Sequence, residues 1–156
     1  MAGELSGSFF MTSFRHVGIV VKNLNTSAHF YKKFFNFKPE IEREEGGQYL
    51  DYLWAQKNTK IKTLKLSDST NKISLELLEI YSVDGFSSEI KTNKIYDIGI
   101  THFALTVKNI DKIYNDMKME NIEFVNGPIM SVDKKAKVAF CKDPNGCFIE
   151  LVELLN

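Results

Sequence analysis

The chain has 156 residues, of which 44% are hydrophobic and 26% are charged, and its 20 basic residues balance its 20 acidic ones. This length is typical of one soluble domain that buries a core without disulfide bonds. The charge balance gives no electrostatic footprint for nucleic acid or an anionic membrane, and no apolar run approaches the roughly 20 residues that span a bilayer. We therefore expect neither nucleic acid nor a membrane as a partner.

The N-terminal residues 1–13 show no sustained period and predict a flexible leader before a single domain over 14–156. The leader has neither the basic start nor the apolar core of a secretory signal, so we expect a cytoplasmic protein. Cys141 and Cys147 are then expected to stay reduced and to serve as small packing residues.

The first half of the chain predicts one long helix among four strands. Apolar residues at helical spacing, among them Tyr31 and Phe34, indicate the helix, and either Asn23 or Asn25 offers its N-cap. Enrichment in β-branched residues or alternation of polar and apolar residues indicates the strands. The predicted elements are a strand over 14–21, a helix over 26–36 that ends before Pro39, and strands over 39–45, 60–66 and 72–80.

Residues 47–56 interrupt the strands with a different pattern. Tyr49, Leu50, Leu53 and Trp54 are spaced as they would be on a helix, which favours a short helix over a strand. The aromatic side chains of this segment either wall a pocket or simply cover the sheet.

The second half of the chain repeats the order of the first. A connector over 81–99 is expected to contain a helical turn near Ser88–Lys91, and the hairpin that ends the chain turns at Asp143-Pro144-Asn145-Gly146. The predicted elements are a strand over 100–107, a helix over 109–120, an extended segment over 122–130, and hairpin strands over 136–142 and 147–154.

Two short patterns occur twice along the chain. His16 in FRHVGIVVKNL corresponds to His102 in ITHFALTVKNI, and Glu76 in ISLELLEI corresponds to Glu150 in CFIELVEL. The spacing from histidine to glutamate is 60 residues in the first half and 48 in the second. The excess of 12 residues is about the size of the segment 46–58, which we therefore interpret as an insertion in the first half.

The two repeated glutamates lie inside apolar stretches, on strand faces where a carboxylate is costly unless it is paired or binds a metal. Glu79 and Glu153 fall on the opposite face near the strand ends, where we expect them to be solvated. Two imidazoles and two carboxylates suit one divalent ion of Zn, Ni, Co, Mn or Fe better than calcium. Waters that complete the coordination would leave room for a substrate, as a catalytic site requires.

These features resemble the vicinal oxygen chelate superfamily, which includes glyoxalase I, methylmalonyl-CoA epimerase, extradiol dioxygenases, fosfomycin-resistance enzymes and bleomycin-binding proteins. The resemblance rests on HVGIVV, HFALTV and DPNGCFIELVE and covers about residues 14–155. It implies an α+β fold in which βαβββ modules over 14–80 and 100–155 form curled mixed sheets around a metal site. It also implies a homodimer, with the site formed within one chain or between two.

The resemblance further implies the residues of the site. The family's metal ligands fall on His16, Glu76, His102 and Glu150, with Glu150 as the first candidate for the catalytic base and Glu76 as the second. Glutamate at position 76 favours a lyase or isomerase of the glyoxalase I type, acting on a thiol adduct, because epimerases usually have glutamine there. The alternatives are a methylmalonyl-CoA epimerase-like isomerase, an Fe(II) extradiol-type dioxygenase using His16 or His102 with Glu150, and a non-catalytic binding or resistance protein.

Other polar residues are weaker candidates. His29 lies in the first predicted helix and is expected at the surface or in packing. Lys135, Lys137 and Lys142 surround the second hairpin, where they either form a solvated edge or contact an anionic thiol cofactor.

Overall fold

The computed structural model describes residues 13–70, 74–89 and 94–155. The predicted leader lies outside these residues except for Ser13. The expected helical turn is absent at Ser88 and Glu89, and its remaining residues also lie outside the described ranges. In the described part of the chain, no helix combines the length and the apolar character needed to cross a membrane.

Within the described residues, eleven elements form two successive modules with nearly the same order. The first module contains β1 (His16–Val21), α1 (Leu24–Phe35), β2 (Lys38–Gly46), α2 (Gln48–Trp54), β3 (Lys60–Ser67) and β4 (Ser74–Ser82). The second contains β5 (His102–Thr106), α3 (Ile110–Met119), β6 (Ile129–Met130), β7 (Ala136–Lys142) and β8 (Phe148–Leu154). The predicted α+β fold of two βαβββ modules is therefore confirmed.

Each module folds its strands into a four-stranded mixed sheet of the same topology. The order is β1-β4-β3-β2 in the first sheet and β5-β8-β7-β6 in the second. The first strand of each module runs parallel to its last strand, and the other neighbours are antiparallel. The two sheets are therefore equivalent strand by strand.

Local signals explain where α1 begins and ends. The side chain of Asn23 accepts a hydrogen bond of 2.8 Å from the backbone N–H of Thr26, so Asn23 rather than Asn25 is the N-cap. Asn36 adopts a left-handed conformation with φ 55° and ends the helix at Phe35. The prediction that Pro39 ends this helix is wrong, because the helix has already ended at Phe35 and Pro39 lies within β2.

The segment after β2 forms a helix, as predicted, and over the described residues 100–155 the second module has no counterpart of it. Among the residues of α2, Leu50 is buried, whereas Tyr49 is 74% exposed and Tyr52 is 90% exposed. Tyr49 and Tyr52 therefore do not cover the sheet, which was one of the two expectations for the aromatic residues of this segment.

The core lies on the helix-covered faces of the two sheets, and it is continuous between the modules. Ile19 and Leu77 from the first sheet and Ile149 and Leu151 from the second belong to a single buried cluster. Side chains alternate along a strand, so His16, Glu76, His102 and Glu150 lie on the opposite, outer faces. Both histidine–glutamate pairs thus face away from the shared core.

The turn of the last hairpin joins the second module to the first. The Tyr31 hydroxyl donates a hydrogen bond of 3.0 Å to the buried carboxylate of Asp143. Asn145 donates to the Ser27 hydroxyl at 2.9 Å and accepts from the backbone N–H of Lys22 at 2.9 Å. The DPNG turn that the sequence predicts is therefore also an attachment point between the modules.

Candidate metal centre

The first pair of site residues lies on the outer face of the first sheet. His16 Nε2 is 3.1 Å from Glu76 Oε2, and both side chains are partly buried. The other ring nitrogen, Nδ1, is buried and has no hydrogen-bond partner among the described residues. Glu76 Oε1 also lies 3.7 Å from the ammonium group of Lys65 on β3.

The second pair repeats this arrangement on the outer face of the second sheet. His102 Nε2 is 3.4 Å from Glu150 Oε2. The hydroxyl of Thr101 lies 2.9 Å from the other ring nitrogen of His102 and fixes the orientation of the ring. The Phe140 ring packs against the imidazole in a T-shaped arrangement, with 5.2 Å between the ring centroids.

Strand register explains why the two pairs are alike. In the parallel pairing of each module, Gly18 lies opposite Glu76 and Ala104 lies opposite Glu150. Each histidine is two residues before that position, which makes it the diagonal neighbour of the glutamate on the same face. The alignment of the two halves that the sequence predicted therefore corresponds to one repeated geometry.

The four predicted ligands form two separate pairs within one chain. Within 13–70, 74–89 and 94–155, no three His, Cys, Asp or Glu side chains come close enough to hold a metal ion together. The reason is the orientation of the modules, because the helix-covered faces meet in the core and the outer faces point away from each other. A single chain thus offers two half-sites.

The donor atoms of each half-site fit a divalent metal ion. Ligands at about 2.0–2.2 Å from an ion, on neighbouring coordination positions, are about 3 Å apart. The separations of 3.1 Å and 3.4 Å between nitrogen and oxygen match this value. An imidazole and a carboxylate also form the mixed donor set that Zn, Ni, Co, Mn and Fe accept.

The two half-sites differ in the residue that faces the glutamate across the antiparallel strand pair. Lys65 lies opposite Glu76, whereas Phe140 lies opposite Glu150. Lys142, on the same outer face as Phe140, forms an ion pair with Glu123 and lies over the Phe148 ring. The first half-site therefore contains a lysine ammonium group beside its glutamate, whereas the second contains an aromatic ring at that position.

Glu79 and Glu153 are partly buried and accept hydrogen bonds from the backbone, which corrects the prediction that they are simply solvated. Glu79 accepts a hydrogen bond of 2.6 Å from the backbone N–H of Leu24, the first residue of α1. Glu153 accepts from the backbone N–H groups of Asn109 and Ile110 at 2.6 Å and 3.1 Å. Both carboxylates therefore satisfy free donors at helix N-termini, where the helix dipole favours negative charge. A glutamate follows each predicted ligand glutamate by three residues in both halves of the sequence, and this repeat could have indicated the capping role.

The two cysteines are free, and their surroundings keep the thiols protonated at neutral pH. Burial raises the pKa of the Cys141 thiol to about 12 and that of the Cys147 thiol to about 11, and the charge of Asp143 adds to both shifts. A thiol of such high pKa stays protonated and is neither a nucleophile nor a metal ligand. The two residues pack in the protein, as the sequence predicts.

The remaining candidates have ordinary surface roles. His29 is exposed, as expected. Lys137 pairs with Asp111 and Lys142 with Glu123, so these two hairpin lysines already have partners.

A cavity of about 650 Å³ lies apart from both half-sites. Its lining contains five phenylalanines, and none of the four predicted ligands belongs to it. The cavity is a mostly apolar space beside the core, although Asp68 and Lys108 also line it. The lining phenylalanines are Phe14, Phe34, Phe35, Phe37 and Phe103.

Paired βαβββ modules with a histidine in the first strand and a glutamate in the last define a class of fold. The family model described as the glyoxalase/bleomycin resistance protein/dioxygenase superfamily matches residues 13–151. The chain belongs to this superfamily, which includes metal-dependent enzymes. A search among curated proteins finds no significant match to the sequence.

Solved structures agree with this assignment. A glyoxalase family protein from Bacillus cereus is 15% identical with a TM-score of 0.84, over 96% of this chain and 98% of that one. The fosfomycin resistance protein FosX from Listeria monocytogenes, as a mutant complexed with Mn(II) and a dihydroxypropylphosphonic acid, is 15% identical with a TM-score of 0.61, over 91% and 90% of the chains. Glyoxalase I from Zea mays, also a mutant, is 22% identical with a TM-score of 0.58, over 90% of this chain and 46% of its own. Such identities show a shared fold.

Proposed function

We propose that this protein is a metal-dependent lyase or isomerase of the glyoxalase I type, which moves a proton next to a carbonyl of a small thiol-adduct substrate. The observation that supports this proposal most strongly is the repeated pair of histidine and glutamate, with Glu76 occupying the fourth ligand position. A three-ligand enzyme would not require a carboxylate there. Membership of a superfamily with metal-dependent enzymes is consistent with it.

We further propose that the complete site forms between two copies of the chain. The outer face of the first sheet in one copy would meet the outer face of the second sheet in the other copy, and bring four ligands together. Apolar side chains on the second of these faces support this arrangement, since Ile129 is 71% exposed and Leu154 is 66% exposed in one chain. A homodimer of this kind contains two equivalent sites.

His16 and His102 would hold the metal through Nε2, and Glu76 and Glu150 would complete the set of protein ligands. When bound, a divalent ion supplies Lewis acidity toward the carbonyl oxygen of the substrate. Thr101 supports this role for His102, because its hydroxyl can accept a hydrogen bond from Nδ1–H, and in that tautomer Nε2 is free to bind the metal.

Glu150 acts as the general base in this proposal. Its carboxylate accepts the proton from the carbon beside the carbonyl, and the resulting carboxylic acid returns the proton to the neighbouring carbon. The surrounding Phe140 and Phe148 rings limit access of water to this proton. Glu76 is the second candidate for the base, because its position in the first half-site is equivalent.

Replacing Glu150 by Gln tests this function. We expect the rate of conversion of the methylglyoxal–glutathione adduct to fall by about 10²–10⁴-fold, because a positioned base contributes that factor. Metal content, measured by elemental analysis, should stay at half the wild-type value or more, since three ligands remain. Glu120→Gln, an exposed carboxylate on the end of α3, is the matched control and should leave the rate unchanged.

An unchanged rate in Glu150→Gln would rule out Glu150 as the base. A wild-type protein that binds metal but converts neither this adduct nor methylmalonyl-CoA would contradict the proposed proton transfer. Methylmalonyl-CoA is included because an epimerase uses the same proton chemistry on a different substrate.

A further inference from the structure

Lys65 is a charged side chain that breaks the equivalence of the two half-sites. Its ammonium group lies 3.7 Å from Glu76, and Glu76 is its only ion-pair partner in the described part of the chain. The equivalent position in the second module holds Phe140. Burial of 71% of the Lys65 side chain holds it against the sheet rather than in open solvent.

A metal ion bound by Glu76 would remove the counter-charge of Lys65. In the proposed centre, two carboxylates balance one divalent ion and two neutral imidazoles add no charge. Lys65 then leaves one positive charge in excess beside the ion, in a half-buried place where an unpaired charge is costly. Lys142, the lysine on the corresponding face of the second sheet, creates no such excess because Glu123 neutralises it.

We propose that Lys65 is a specificity-determining residue that binds an anionic oxygen group of the substrate, such as a carboxylate, on the Glu76 side of the centre. The apolar part of the substrate would then lie against Phe140 and Val152 of the second sheet. This inference rests on the proposed function, and it narrows the substrate class to anionic molecules with one apolar portion. Charge-assisted hydrogen bonds from lysine to carboxylate oxygens are the interactions that such a group requires.

Two binding measurements on the full-length protein test this proposal. The first is the affinity of the protein for Mn²⁺, and the second is the affinity of the Mn²⁺-loaded protein for oxalate. In Lys65→Met, Mn²⁺ should bind about two- to fivefold more tightly, because a competing cation next to Glu76 is removed. Oxalate should bind at least about tenfold more weakly, because a charge-assisted hydrogen bond is lost. Lys65→Arg should retain most of the oxalate affinity, since it keeps the positive charge. Both affinities are measured by isothermal titration calorimetry.

Lys62→Met is the matched control. Lys62 lies on the same strand, its side chain is 26% exposed against 29% for Lys65, and it pairs with Glu42 on the other face of the sheet. Both affinities should stay at the wild-type values in this variant. A purely structural role of Lys65 would weaken both affinities in Lys65→Met, and would overturn the proposal.

Two further outcomes separate this inference from the proposed function. Mn²⁺ binding with an unchanged oxalate affinity in Lys65→Met would overturn the role of Lys65 alone. Failure of the wild-type protein to bind Mn²⁺, Zn²⁺ or Ni²⁺ would overturn the metal centre and the role of Lys65 with it.

Discussion

Tyr31 is the side chain that connects the two modules through their buried interior. It is fully buried, and its hydroxyl donates to Asp143 at 3.0 Å, across 112 positions of sequence. Asp143 also accepts from the backbone N–H groups of Asn145 and Cys147, both at 2.8 Å. Asp143 thus accepts hydrogen bonds from its own turn and from the first module, which makes it one of the contacts between the modules.

Replacing Tyr31 by Phe should lower the free energy of unfolding by about 1.5–3 kcal/mol, the contribution of a hydrogen bond to a charged group. Urea denaturation at pH 7 measures this difference. Tyr49→Phe is the control, because the Tyr49 side chain is largely exposed and its hydroxyl contributes no buried contact. Equal stability of Tyr31→Phe and the wild type would show that the buried hydrogen bond does not hold the modules together.

The stability difference between the wild type and Tyr31→Phe should also depend on pH. Burial, followed by the charge of Asp143, raises the pKa of Tyr31 well above its usual value of 10.0. The folded protein therefore keeps a proton that the unfolded chain releases above about pH 10, so the stability from this group falls as the pH rises past that point. The stability difference between the wild type and Tyr31→Phe should accordingly narrow above pH 10.

At the scale of elements, each module uses its last strand for two separate tasks. One glutamate of β4 or β8 faces outward beside a histidine, and the glutamate three residues later turns inward to the N-terminus of α1 or α3. This spacing is possible because side chains alternate faces along a strand. A strand with this pattern positions the half-site and anchors the helix behind it at the same time.

Replacing Glu153 by Ala should lower the free energy of unfolding by about 1 kcal/mol, because two backbone N–H groups at the start of α3 lose their acceptor. Thermal and urea denaturation measure the loss. Glu40→Ala, an exposed carboxylate on β2, should change the stability little. The assignment of Glu153 to helix capping fails if the two variants are equally stable.

At the scale of the whole molecule, the sequence predicts the modules better than their arrangement. Periodicity and the repeated motifs locate nearly all strands and helices, the insertion α2, and the pairing of each histidine with its glutamate, because register follows from equivalent positions. The direction in which the half-sites face depends on contacts between distant residues, such as Tyr31 with Asp143, which no local pattern encodes. The exposure of Tyr49 and Tyr52 was unpredictable for the same reason, since an amphipathic pattern does not say which aromatic residues find a partner.

In the proposed dimer, one chain carries two half-sites, and two chains together complete each metal centre. Two variants separate the half-sites, one with His16→Ala and Glu76→Gln and the other with His102→Ala and Glu150→Gln. In a heterodimer of the two, one composite site loses both of its halves and the other keeps both intact. Each variant alone forms only sites with one half missing.

The most direct measurement is the Mn²⁺ content of this heterodimer, co-expressed with two different affinity tags and purified through both. We expect about half the Mn²⁺ of the wild-type dimer, because one of two composite sites is intact, and much less for each variant alone. A heterodimer that binds no more Mn²⁺ than its separate parents, or variants and wild type that are monomeric, would contradict the claim that two chains build the site.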